Sequence, residues 1–301
     1  MTLAALVAAS LLVIALPHVL QLRRADPAAA CALWGAGLGA RAMLVVASVV
    51  GALLLLHPAH LFNAIAEWPC APKHRVAGHL AAALGGLALS LSLLYALARV
   101  AQAAVAVRRL VRHPLGRGPE GSLIVGGDGV VLAAAGLLRP RLLVSAGALA
   151  HLDDAELRVA IAHEQAHIRR GHRWALLFAE ICRVLGRPLP GTAHAVRELR
   201  LHIERDADRT AVRGRPERLA LASAIVKAAA ISSVPSGVAY LAGDDTVARV
   251  RELLDADDLS HSARMATRAA AVAVILVAVV AALVLPGELG ALSEPAAICG
   301  A

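Results

Sequence analysis

The chain has 301 residues, 58% of them hydrophobic and 2% aromatic, with 30 Lys+Arg against 22 Asp+Glu for a formal charge of +8. A mean hydropathy of +0.67, with the apolar residues gathered in blocks, excludes an ordinary soluble globule and points to a membrane protein. The positive balance is almost all arginine, since Lys73 and Lys227 are the only lysines; with so few aromatics to stack on bases it reads as membrane topology, not as a nucleic-acid surface.

Residues 1–100 read as a membrane region with three transmembrane helices at about 2–20, 42–57 and 76–98. The first carries no Asp, Glu, Lys or Arg, lacks a basic segment ahead of its apolar run and is followed by Arg23 and Arg24, so it is expected to be retained with its N-terminus outside. Arg41, just ahead of the second, is expected to snorkel inward or set its depth. Residues 101–267 turn rich in Arg, Asp, Glu and His and read as a soluble domain, followed by a fourth span at 268–286 and a short outer tail at 287–301. Arg23, Arg24 and the run Arg108, Arg109, Arg112 and Arg117 place the first loop and this domain in the cytoplasm.

None of the four cysteines stands in a Cys-x-x-Cys pair, which excludes a zinc ribbon. Under this topology Cys70 and Cys299 both fall outside, where a disulfide between them can form, while Cys31 and Cys182 read as buried thiols.

Within the soluble domain, Gly121 to Ser145 holds three short apolar runs bounded by Gly and Pro, read as three small strands with Gly126–Gly129 as a hairpin turn. An edge strand here either holds an extended peptide by backbone pairing or merely covers a core. Asp153 and Asp154 then mark the start of a helix carrying His163-Glu-Gln-Ala-His167. Positions i and i+4 share a helix face, so the two imidazoles can bind one Zn²⁺ while Glu164 reaches the attacking water as general base. The third ligand has to come from elsewhere. Glu204 and Asp208, also at i and i+4 on a second helix, are candidates: Glu204 could be the ligand and Asp208 the acceptor from a ligand imidazole. Glu198 and Asp206 lie off that face, and His172, His194 and His202 read as surface, solvated or capping residues.

These residues carry a resemblance. The chain resembles the membrane zinc peptidases of the BlaR/MecR type, gluzincins, and more distantly the HtpX type. The match rests on Ala135-Gly136 followed by Leu138 to Ser145, on Glu156 to Gly171, on Glu204-Arg-Asp-Ala-Asp208, and on spans before and after the domain. The resemblance implies a mainly α membrane protein of about four transmembrane helices, with an α+β zincin-like metallopeptidase domain between the third and fourth. It implies His163, His167 and Glu204 as zinc ligands, Glu164 as base and Asp208 as their support. Arg249, in Thr246 to Leu254, corresponds to an arginine that steadies the tetrahedral intermediate, or else is a plain helix-surface arginine. After the last span there is no room for a penicillin-binding domain and no Ser-x-x-Lys motif, so β-lactam sensing is not expected.

The expected activity is cytoplasmic cleavage of a protein, with a winged-helix transcriptional repressor as the candidate substrate. The alternatives are a housekeeping peptidase for damaged membrane proteins and a non-catalytic receptor that keeps a zinc site. Lipid is an expected partner; nucleic acid is not.

Overall fold

The computed structural model describes residues 3–20, 25–55, 73–112, 114–231, 245–255 and 268–277, with Leu22 and Met265. Cys70, Cys299 and residues 278–286 of the expected fourth span lie outside the described residues. The chain divides into two compact units: residues 1–98, 178–199 and 261–301 form one, and residues 99–177 and 200–260 the other.

The first unit contains α1 (Leu3–Val19) and α2 (Pro27–Leu55), which pack on each other around Leu33, Trp34 and Leu38. It also holds most of α3 (Lys73–Arg112) and the short apolar helix α10 (Arg268–Val277), whose Arg268 Nε donates to Asp26 Oδ2 at 3.1 Å. Among the described residues, two segments are long and apolar enough to cross a membrane, Pro27–Gly51 and Ala83–Gln102. The four-span expectation is therefore met in part: Val7–Val19 and Arg268–Val277 are apolar but shorter. The second helix begins at Pro27, well before the expected 42: Pro is favoured at a first helical position, and the Ala-rich run to Arg41 holds no further Pro and absorbs Gly35, Gly37 and Gly39. Leu84, Leu87, Leu91, Leu94 and Leu97 of α3 are exposed, an apolar surface suited to lipid. Arg108 and Arg109 continue this same helix instead of standing in a loop.

Arg41 does not reach outward. It is buried, with Nη1 donating to Gly37 O at 3.2 Å and Nη2 lying 2.9 Å from His18 Nε2. His194, expected at the surface, is half-buried and stacks on His18 at 5.4 Å.

The second unit is built on a four-stranded sheet of β1 (Gly116–Arg117), β2 (Leu123–Val125), β3 (Leu132–Ala135) and β4 (Arg141–Ser145), in the order β1-β2-β4-β3. The expected hairpin across Gly126–Gly129 does not form: β2 runs parallel to β4, while β3 pairs antiparallel with β4 from its other side. The turn of the real hairpin is Gly136–Pro140, where Gly136 takes φ +105. Gly126–Gly129 is a crossover, pinned by Gly147 N donating to Gly127 O at 2.9 Å and by Ser145 Oγ donating to Gly129 O at 2.7 Å. A side chain at Gly147 would strike the Asp128 carbonyl, so the crossover needs this glycine.

Ser145 also caps α4 (Ala146–His151), accepting from Ala148 N. The helix α5 (Asp154–Arg169) starts where Asp153 and Asp154 placed it, and Asp153 closes a capping box with Glu156 that was not expected. Glu156 is buried and joins α5 to α8 (Arg215–Ile231): Ser223 Oγ and Lys227 Nζ each donate to it at 2.6 Å. Val130, Leu132, Val144, Leu152, Ile161 and Ala224 form the core between sheet and helices. The remaining elements are α6 (His172–Leu185), α7 (Thr192–Ala211) and α9 (Asp245–Leu254). Residues 178–199, expected within the soluble domain, belong to the first unit, where Phe178 lies against Gly39.

Candidate metal centre and active site

Helix α5 carries His163 and His167 one turn apart, and their Nε2 atoms lie 3.1 Å from each other. From α7, Glu204 brings Oε2 to 3.5 Å from His163 Nε2 and Oε1 to 3.6 Å from His167 Nε2. The three ligand atoms lie within 4.8 Å of one another. A tetrahedral zinc with bonds of about 2.0–2.1 Å spaces its ligands about 3.3 Å apart, so the donor set fits this ion without rearrangement. The three expected ligands are thus brought together.

Each histidine is held from behind. His163 Nδ1 lies 2.9 Å from Asp208 Oδ1, a close charged contact although its angle falls short of a straight hydrogen bond. Asp208 is gripped in turn by Arg249, whose Nε and Nη2 donate to its two oxygens at 2.9 and 2.7 Å, while Nη1 lies 2.9 Å from Glu204 Oε2. Arg249 is 3% exposed, so it is not a helix-surface arginine, and Nε, Nη1 and Nη2 all face carboxylates.

Glu164 is buried on the sheet side of α5, and Ala134 N of the edge strand β3 donates to its Oε2 at 2.9 Å. Beside His163 and Glu164 lies a small apolar pocket walled by Val130, Leu132, Leu152, Leu221 and Ile225.

Burial pushes the Glu164 carboxyl up to about 7, against the pull of the His163 charge and the Ala134 hydrogen bond. His167 is driven down to about 4, again by burial first, and so is neutral as a ligand must be. Burial acts downward on His163 too, but Asp208 and Glu204 outweigh it and raise it to about 10. For Glu204 burial is outweighed by His163 and Arg249, which hold it at about 2. Burial is likewise overridden at Asp208, held far below the ordinary range by Arg249 and His163. Glu204 and Asp208 thus favour positive charge at the imidazole nitrogens, where a dication would replace the His163 proton.

Three features escaped sequence reasoning. His172 is buried and sits behind His167, not at the surface; Asp206, off the ligand face, contacts it. His202 is fully buried against Arg205, neither solvated nor a member of the metal group. The amide of Ala134 has no sequence signature, because any residue can donate from a strand edge. For His172 there was a signal: Gly171, at φ +69, turns the chain back after α5 and returns the next residue toward His167.

Neither the curated proteins nor the solved structures include one that matches this chain. A match does come from the family model described as BlaR1 peptidase M56, over residues 132–252. That stretch begins at the edge strand β3 and contains His163, Glu164, His167, Glu204, Asp208 and Arg249. With the candidate metal cluster inside it and apolar helices outside it, the stretch 132–252 is similar to the BlaR1 peptidase M56 family, a likeness that points to a membrane-associated metallopeptidase.

Proposed function

We propose that the chain is an integral-membrane, zinc-dependent endopeptidase that cleaves a protein substrate on the cytoplasmic side. The observation that carries this reading is the convergence of His163, His167 and Glu204 with the buried carboxylate of Glu164 beside them, because a purely structural site has no use for a general base. Zn²⁺ held by these three residues supplies a Lewis acid that polarises the scissile carbonyl and acidifies the attacking water. Glu164 takes the proton of that water and returns it to the leaving amide nitrogen, and an affinity near neutrality suits a group that must do both. Asp208 and Arg249 keep His163 and Glu204 in place; for Arg249 to reach a substrate oxyanion, Nη1 has to leave Glu204.

Pairing of an extended peptide along the edge strand β3 would carry its carbonyl past Glu164, which Ala134 holds at that edge. The cavity beside Glu164 takes an apolar substrate side chain. Cytoplasmic placement is supported by the arginines that flank the apolar helices, and a transcriptional repressor is the proposed substrate.

The test compares wild type with Glu164→Gln in cells and with purified, zinc-loaded full chain. A winged-helix repressor that persists uncleaved only in the variant supports the signalling role. Accumulation of many damaged membrane proteins instead makes the chain a quality-control peptidase. Failure of the zinc-loaded wild type to cleave any protein in either setting would leave a receptor that retains a zinc site.

A further inference from the structure

We propose that His172 and Asp206 are positioning residues that fix the tautomer and orientation of His167 and so set the affinity of the metal site. This rests on the metallopeptidase reading above. His172 Nδ1 lies 3.0 Å from His167 Nδ1, and on the far side of its ring Nε2 lies 3.0 Å from Asp206 Oδ2. Both partners are buried, and Asp206 is held at its other edge by Arg170, whose Nε and Nη2 donate to its two oxygens at 2.8 Å each.

The proton positions follow from counting. Two ring nitrogens 3.0 Å apart need one donor and one acceptor. His167 Nε2 faces His163 Nε2 and Glu204, so as a ligand it must be unprotonated, which puts the His167 proton on Nδ1. His172 Nδ1 therefore accepts, and His172 Nε2–H donates to the Asp206 carboxylate. Reversing the chain would put a proton on His167 Nε2, in the place of the metal, and would set the lone pair of His172 Nε2 against an anion. Asp206, kept charged by Arg170, forbids that reversal. The two ligand histidines are thus supported unequally: His163 meets a carboxylate directly, whereas His167 meets one through a second imidazole. The rings of His167 and His172 meet edge to face at 76°, which blocks rotation of His167 about its own axis.

The experiment uses full-length protein in detergent, with zinc affinity read by chelator competition, the cobalt(II) absorption spectrum, and the melting temperature of chelator-stripped protein. His172→Phe keeps the ring but offers no acceptor; zinc affinity should fall roughly 10–100-fold and the cobalt bands should shift. His172→Asn restores an acceptor for His167 Nδ1–H through Oδ1, and its affinity should return close to that of wild type. Asp206→Asn should weaken zinc less than His172→Phe. In the two His172 variants the stripped protein should melt near wild type, since the Asp206–Arg170 pair and the helix packing remain.

Wild-type zinc affinity in His172→Phe overturns the proposal, as does an Asn variant as weak as the Phe variant. A loss of zinc matched by an equal loss of stripped stability also overturns it, by making His172 a packing residue. Failure of the metallopeptidase reading looks different: wild type then binds no zinc, or Glu204→Ala keeps it in full.

Discussion

Arg249→Met tests whether the site is held together by charge. The side chain is 3% exposed and makes three contacts of 2.7–2.9 Å with Asp208 and Glu204. Met keeps most of the aliphatic volume but leaves the buried Asp208 facing only His163 and the half-buried Glu204 facing only the two ligand histidines. Breaking a buried ion pair from one side costs about 3–5 kcal/mol. For a folded unit of this size each kcal/mol lowers the melting temperature by about 2–4 °C, so a fall on the order of 10 °C is expected for chelator-stripped protein. Arg249→Lys returns the charge without the fork and should recover only part of this. The sign of the pH effect is fixed: Asp208 and Glu204 have depressed affinities for protons, so their contribution stands above the ordinary carboxylate range and is lost as pH falls through it. In the variant the two carboxylates lose their partner and take up protons more readily, so its deficit should shrink as pH falls from about 5 toward 3, through the ordinary carboxylate range. Differential scanning fluorimetry of stripped protein, wild type against variant, reads all of this. A melting temperature within a degree of wild type in Arg249→Met would refute the charge-clamp argument.

Glu164→Gln should retain zinc while peptide cleavage drops by roughly 10²-fold or more, measured by metal analysis and a peptide assay on the same sample. Because Glu164 must be ionised to accept a proton and its carboxyl is raised to about 7, wild-type cleavage should decline as pH falls through the acid side of neutrality; bound zinc moves that limb lower, and a rate flat from pH 8 to 5 would count against the assignment. Stripping the metal should abolish cleavage and zinc should restore it in wild type but not in Glu204→Ala. Glu156→Gln loses the charged contact to Lys227 and should destabilise the protein by about 1–3 kcal/mol near pH 7. The Glu156 carboxyl is held below its usual range by Lys227 and Ser223 against the cost of burial, so this deficit should fade as the wild-type group protonates in acid. Ile225→Phe narrows the cavity beside Glu164 and should raise KM for substrates with bulky apolar side chains more than for those with small ones.

The residues of the cluster were legible in the chain because helix periodicity is local: a spacing of four puts His163 beside His167, and Glu204 beside Asp208, whatever the rest of the fold does. The helix start at Asp153 and Asp154 is equally local. Apolar blocks likewise announced helices long and apolar enough to cross a membrane, two of them among the described residues, since the bilayer sets a length that composition alone can meet. Strand order was not legible. Each run was recognisable, but pairing joins residues distant in sequence, and the Gly-rich Gly126–Gly129 served a crossover against α4 as well as it would have served a hairpin. Burial of histidines was hidden for the same reason. His172, His194 and His202 carry polar rings that look solvated in a sequence, and only packing supplies the partners, Asp206, His18 and Arg205, that make burial tolerable. Arg249 shows the division most clearly: its identity lay in the chain, but whether it faced solvent, substrate or two carboxylates depended on how α9 meets α7, which no local spacing encodes.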